Sequence, residues 1–206
     1  MRLLLVISTL ILVGNIGGHN TSRAKDATQE YLPKSLYDDM SRQIAHFSNQ
    51  AGLINLRSKS LSNSTTEIRI WKGGGLLYPR CFILKFQKRS RDAYLVAPKV
   101  VNNRAVYRSQ NQVIYLQTLM ENPRSGWESV VEYLNSKGLD DPIGLTLDKT
   151  FEPDPDQEAI YLEVRSGRRY TMVFYLDSTK SQDGKKVFDV CHKIENEFAK
   201  RIGCGN

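Results

Sequence analysis

Histidine and cysteine are scarce in this chain, three of each in 206 residues, and their scarcity removes several chemistries at once. His19, His46 and His192 are far apart in the sequence. His192 follows Cys191 directly, but adjacent residues on a helix point about 100° apart, so the two make no Cys–His dyad. Metal sites need ligands clustered at spacings such as C-x-x-C or H-E-x-x-H, and neither pattern occurs. The G-x-S-x-G elbow of serine hydrolases is absent as well. Cys81, Cys191 and Cys204 are too few for a disulfide-dense scaffold. If the last helix is continuous, the thirteen residues from Cys191 to Cys204 rise ~20 Å, beyond the reach of a disulfide. A bridge would therefore join Cys81 to Cys191 or to Cys204, and three reduced thiols are the alternative.

Nucleotide motifs are missing too. A phosphate-binding loop needs Lys-Ser/Thr after its glycines and a helix to follow, and a dinucleotide fingerprint needs G-x-G-x-x-G. The run Gly73-Gly74-Gly75 continues as LLYPRCF, into a strand. The acidic stretch DKTFEPDPDQE (148–158) has prolines where a calcium loop alternates its ligands, so it reads as a solvated loop. No cofactor is expected, no metal, and no nucleic-acid motif is present.

Long apolar runs are confined to the start. MRLLLVISTLILVGNIGG has one Arg, an apolar core from Leu3 to Val13, then small residues. That is the plan of a secretory signal peptide, with a cut expected after Gly18 and a secreted or periplasmic location. An uncleaved N-terminal anchor is the alternative, although the core is shorter than the ~20 residues of a spanning helix. No later segment is apolar enough to span a membrane. Residues 19–34 are polar and aperiodic, a flexible lead-in, and 35–206 fit one domain. Asn20-Thr21-Ser22 and Asn63-Ser64-Thr65 are glycosylation sequons, which matter only in a host that glycosylates.

The formal charge is +7. A basic exported protein is suited to an acidic protein or an anionic polymer or lipid. Solubility alone also accounts for such a charge.

The patterning predicts an α+β protein: a largely antiparallel sheet of about six to eight strands, with a C-terminal helix packed on it and two further helices. Leu36, Met40, Ile44 and Phe47 make one stripe on a helix running from Ser35 to about Gln50. Strands are expected at 67–71, 81–86, 92–98, 104–109 and 112–119, joined too tightly for parallel crossovers. Ser125 and Glu128 form a capping box for a helix that Gly138 ends. A short strand is expected near Leu145–Leu147. In AIYLEVRSGRRYTMVFYL, Ile160, Leu162 and Val164 alternate with polar positions, as do Tyr170, Met172, Phe174 and Leu176. If both sets face one core, the hairpin needs a three-residue loop, Arg165-Ser166-Gly167. The last helix spans about Gly184 to Ile202, with Val187, Cys191, Ile194, Phe198 and Ile202 as its stripe.

This points to a binding or interaction module of the periplasm or cell exterior. A hydrolase with dispersed carboxylates and an accessory domain of a larger assembly are the alternatives. The candidate contacts are Trp71, Gly73, Gly74, Gly75, Tyr78 and Arg80: bare backbone admits a close approach, and Trp, Tyr and Arg are enriched at hot spots. The plainer reading gives the glycines to loop slack and the aromatics to the sheet. Basic residues also gather at two strand ends, Lys85/Lys88/Arg89/Arg91 and Arg165/Arg168/Arg169. On one end of the sheet they would form an anion-binding patch. On opposite ends they are ordinary solvated turns, which is the expectation.

Overall fold

A computed structural model describes residues 34–73, 79–102, 104–109, 112–139, 159–175 and 182–198. The expected strand at 145–147, Ile202 and Cys204 lie outside them. The fold is α+β, as expected. Helix α1 (Lys34–Gln50) precedes strands β1 (Thr66–Gly73), β2 (Arg80–Phe86) and β3 (Arg91–Pro98). Four short strands follow: β4 (Val100–Val101), β5 (Arg104–Ala105), β6 (Tyr107–Ser109) and β7 (Gln112–Val113). Then come β8 (Tyr115–Leu119), α2 (Trp127–Ser136), β9 (Ala159–Ser166), β10 (Arg169–Tyr175) and α3 (Gln182–Phe198).

Six strands form one antiparallel sheet in the order β10-β9-β1-β2-β3-β8. Between β3 and β8 the chain makes two small hairpins, β4–β5 and β6–β7. Their stems meet in a ring of three backbone bonds: Lys99 to Ile114, Ile114 to Val106, and Val106 to Lys99, each 2.7–2.8 Å. The predicted strands 104–109 and 112–119 are each interrupted at this junction.

Both faces of the sheet are buried. One face packs Ile68, Ile70, Phe82, Leu84 and Leu162 against Val130 and Leu134 of α2 and Val187, Cys191 and Ile194 of α3. The other packs Trp71, Cys81, Ile83, Tyr161 and Met172 against Met40 and Ile44 of α1, with Leu56 from the segment that follows. The central strand β1 is consequently buried at every position from Glu67 to Lys72.

This second core corrects the expected hairpin. The ladder pairs Ser166 with Arg169, Glu163 with Met172 and Leu162 with Val173, so the loop is the two-residue turn Gly167-Arg168. Gly167 has φ +54°, as suits a first central residue of a type II′ turn. The Ile160/Leu162/Val164 set lies in the α2/α3 core and the Tyr170/Met172 set lies in the α1 core. The three-residue loop followed from assuming one core, and two cores remove the assumption.

The expected capping box does not form. Helix α2 starts from Gly126, at φ 83°, with no side-chain cap bond. Glu128 pairs with Arg91 instead, and the Ser125 amide donates to Glu197 of α3 at 2.8 Å. The other end is as expected. Gly138 has φ +73°, its amide reaches Asn135 O at 2.9 Å and the Leu139 amide reaches Leu134 O at 3.1 Å, a Schellman motif whose Leu139 is buried. Cys81 and Cys191 form no disulfide and sit in different cores on opposite faces.

If α1 covers the sheet as a second layer, Ile44→Ala opens a cavity beneath it and is expected to cost about 2–4 kcal/mol by denaturant unfolding. A loss below about 0.5 kcal/mol, the size of an ordinary surface change, would show an undocked helix.

Candidate functional site

The β1–β2 hairpin carries the contacts expected from sequence. Gly74, Gly75 and Tyr78 lie outside the described residues. The register opposes Trp71 to Cys81 and Lys72 to Arg80, so Trp71 and Arg80 project to opposite faces and do not converge. Trp71 is fully buried beneath α1. Its indole N–H donates to Glu163 at 2.8 Å, and its ring lies 6.1 Å from that of Phe47. Arg80 reaches Glu195 of α3 at 2.6 Å, and Lys72 reaches the same carboxylate at 3.3 Å. Glu195 therefore ties the base of the hairpin to α3. At Gly73 a Cβ would come within 2.8 Å of the Pro79 Cα, so this glycine permits a close passage of the two strands.

Sequence reasoning missed the cluster under α1. Glu67, Arg69 and Glu163 are each 1% exposed or less. Alternation with Ile68, Ile70, Leu162 and Val164 reads them as solvent-facing, and α1 turns that face into a core. Arg69 stands opposite Glu163 in the β1–β9 register. Its Nε donates to Glu67 at 2.9 Å and its Nη1 donates to Ile54 O at 2.9 Å. Lys59 pairs with the second Glu67 oxygen. Glu163 also accepts from the Tyr170 hydroxyl at 2.9 Å.

The two carboxyls are shifted in opposite senses. Burial pushes Glu67 up, but the Lys59 hydrogen bond and the nearby charges of Arg69 and Lys59 outweigh it and hold the group below its ordinary value. Burial dominates at Glu163 and raises it, against the pull of Arg69, Trp71 and Tyr170. Burial likewise drives the Cys81 thiol well up and Tyr161 up to about 12. A thiol so shifted is no nucleophile near neutral pH. Glu67 is engaged by Arg69, Glu163 by Trp71 and Tyr170, Tyr161 by Gln43 and Cys81 by Phe82 O, and none of the four lines the cleft described next.

That cleft lies at the opposite end of the sheet from the glycines. Thr66, the first residue of β1, stands between Phe86 of β2 and Ser166 of β9. The β2–β3 and β9–β10 turns therefore lie at the same sheet end, with two strand spacings, ~10 Å, between strands β2 and β9 and three, ~14 Å, between the turn midpoints. Both basic groups thus share one end, contrary to the expectation of opposite ends. Between them and α2 opens a cleft of about 390 Å³. Its floor is apolar (Ile68, Phe86, Val131, Leu134) and its rim polar (Ser64, Thr66, Lys88, Arg91, Asn135, Ser166). Thr66 and Ser166 hydroxyls bond to each other at 2.9 Å. Arg165 braces the neighbouring turn, donating to Gly167 O and to Arg57 O at 3.0 Å. Arg91 pairs with the exposed Glu128. Lys85 lies over the Tyr94 ring, 4.6 Å from its centroid. Lys88, Arg89 and Arg168 are exposed and make no ion pair among the described residues. Among the described residues there is no cluster of metal-binding side chains and no helix long and apolar enough to cross a membrane.

The opposed shifts at Glu67 and Glu163 fix a pH signature. Glu67, lowered, stabilises the fold above its unfolded value, and its contribution fades as the pH falls through the folded one. Glu163, raised, is the reverse: its contribution is full below the unfolded value and is lost as the pH rises through the folded one. In Glu163→Gln the amide can accept from Trp71 and donate to Tyr170, with no charge to bury. The melting temperature of this variant relative to wild type is expected to climb as the pH rises above the ordinary carboxylate range; a flat difference would place Glu163 at its ordinary value. Trp71→Phe removes one donor from Glu163 and is expected to cost about 1–3 kcal/mol, read by chemical denaturation.

No protein-family model matches the chain, and no curated protein matches it significantly.

Proposed function

We propose that this protein is an exported binding module, and that the basic end of its sheet takes an acidic polysaccharide. The observation that carries the reading is the register: β2 and β9 flank β1, which sets two cationic turns side by side over a cleft. The ~14 Å between the turns exceeds the ~8 Å Debye length at physiological salt, so their fields add at low salt and the attraction weakens as salt rises. Hydroxyls, an amide and an apolar floor suit a sugar ring, while Lys88, Arg89 and Arg168 suit its anionic substituents. Among the described residues the lining holds neither a pair of carboxylates nor a nucleophile beside a base, which supports binding as the reading over hydrolysis. Export rests on the leader at residues 1–18, which lies outside the described residues.

The test is binding to immobilised polygalacturonate and dextran sulfate, with neutral dextran as the blank, at about 50 and 300 mM salt. Lys88→Glu/Arg168→Glu is compared with Lys99→Glu/Arg104→Glu, which changes the net charge equally on the β4–β5 hairpin. The first pair is expected to weaken binding roughly tenfold or more, about 1.4 kcal/mol, and the second far less. Equal losses would reduce the attraction to net charge. Strong polygalacturonate binding would mark carboxylates as the recognised group, and binding to dextran sulfate alone would mark sulfates.

A further inference from the structure

Exposed apolar side chains and unopposed cations meet at the β4–β5 hairpin. None of the chain's 22 acidic residues lies between Asp92 and Glu121, whereas Lys99, Arg104 and Arg108 do. All three cations are exposed and make no ion pair among the described residues. Val100 and Val101, adjacent in β4, are 55% and 52% exposed.

The register pairs Val100 with Ala105 and Val101 with Arg104, and no third strand joins these two. Alternation sends the two valines to opposite faces of the ribbon, and directly opposed residues share a face, so Arg104 stands beside Val101. The hairpin is therefore a thin blade with an exposed valine on each side. The ring of bonds among Lys99, Val106 and Ile114 fixes its stem between β3 and β8. Tyr107, also exposed, and Arg108 follow that ring directly.

We propose that this blade docks on an anionic lipid surface, with Val100 and Val101 entering the headgroup layer and Lys99, Arg104 and Arg108 meeting the phosphates. Two observations select this partner. A folded protein presents one surface and would cover one valine, whereas a fluid interface closes around both faces of a blade. Cations without a single acidic neighbour in the segment call for negative charge, and two exposed valines call for an apolar layer. An anionic bilayer supplies both, and an acidic polysaccharide only the first. Two extended residues reach ~7 Å, within the ~5–10 Å depth of interfacial elements. At that depth water still reaches the outward backbone groups of so short a ribbon. Tyrosine, an apolar body with a polar tip, suits the same boundary. The docking is independent of what the basic end of the sheet binds.

A chain that keeps its apolar leader would reach lipid through it, so the test reads one position rather than total binding. A polarity-sensitive fluorophore is placed on Val101→Cys, and for comparison on Ser90→Cys in the β2–β3 turn, both in a Cys204→Ser background. Cys81 and Cys191 are buried and stay unlabelled. The probes are vesicles of phosphatidylcholine alone and vesicles with about one third phosphatidylglycerol. With the anionic vesicles, emission at position 101 is expected to rise and shift to the blue, and at position 90 to stay as in water. Each cation near an anionic surface strengthens binding roughly fivefold. Adding Lys99→Glu/Arg104→Glu is therefore expected to raise the half-saturating lipid concentration roughly tenfold or more, and Lys88→Glu/Arg168→Glu far less. No change at 101 would overturn the docking, and so would equal changes at 101 and 90, which would place the contact at the leader or the basic end. An equal response to phosphatidylcholine alone would overturn the role of the cations.

Discussion

Arg69 lies between two buried carboxylates, and the face of the sheet beneath α1 is organised around it. A charge buried to 1% is tolerable only when it is paired and hydrogen-bonded. Arg69 meets that requirement through Glu67, Ile54 O and the facing Glu163. Each partner then recruits another element. Glu67 holds Lys59 from the segment after α1, and Glu163 holds Trp71 of β1 and Tyr170 of β10. The cluster so ties three neighbouring strands to the segment that α1 leads into. A buried ion network seldom adds much net stability, but removing one member leaves an uncompensated charge. Its effect here is positional: a sheet slipped by one residue would send Arg69 and Glu163 into the apolar core on the other face.

Much of this architecture was legible in the sequence. The strands, the helix stripes and the Gly138 cap were found because each is a local pattern. The second core was not found as such, although its signature was present. Ile160/Leu162/Val164 and Tyr170/Met172 are out of phase across any two-residue turn, and the α1 stripe of Met40, Ile44 and Phe47 needed a surface to cover. Those two facts answer each other. A stripe with no assigned partner and a hairpin with conflicting phases together indicate a sheet buried on both sides. The capping box failed for a different reason. Ser125 and Glu128 have the right spacing, but Glu197 and Arg91, remote in sequence, compete for both.

The site was less legible because it depends on contacts between remote segments. Whether Trp71 and Arg80 share a face turns on the exact loop length between β1 and β2, which a run of glycines does not reveal. Whether the basic turns share an end turns on β9 pairing with β1, a contact across about a hundred residues, as the Thr66–Ser166 bond illustrates. No periodicity encodes such a contact. Composition supplied the residues, and topology decided which of them meet.

The two ends of the sheet handle their cations differently, and the contrast bears on function. At the glycine end, Lys72 and Arg80 converge on Glu195, with the ring of His192 3.8 Å away, so charge there is consumed in joining the hairpin to α3. At the other end, Lys88, Arg89 and Arg168 are left in solvent beside an apolar-floored cleft. Cations that repel one another across ~14 Å weaken a fold slightly and add nothing to its packing. What sets these three cations apart is their place, on two turns at one end of the sheet around an apolar-floored cleft, and the proposal that an anionic ligand meets them rests on that placement.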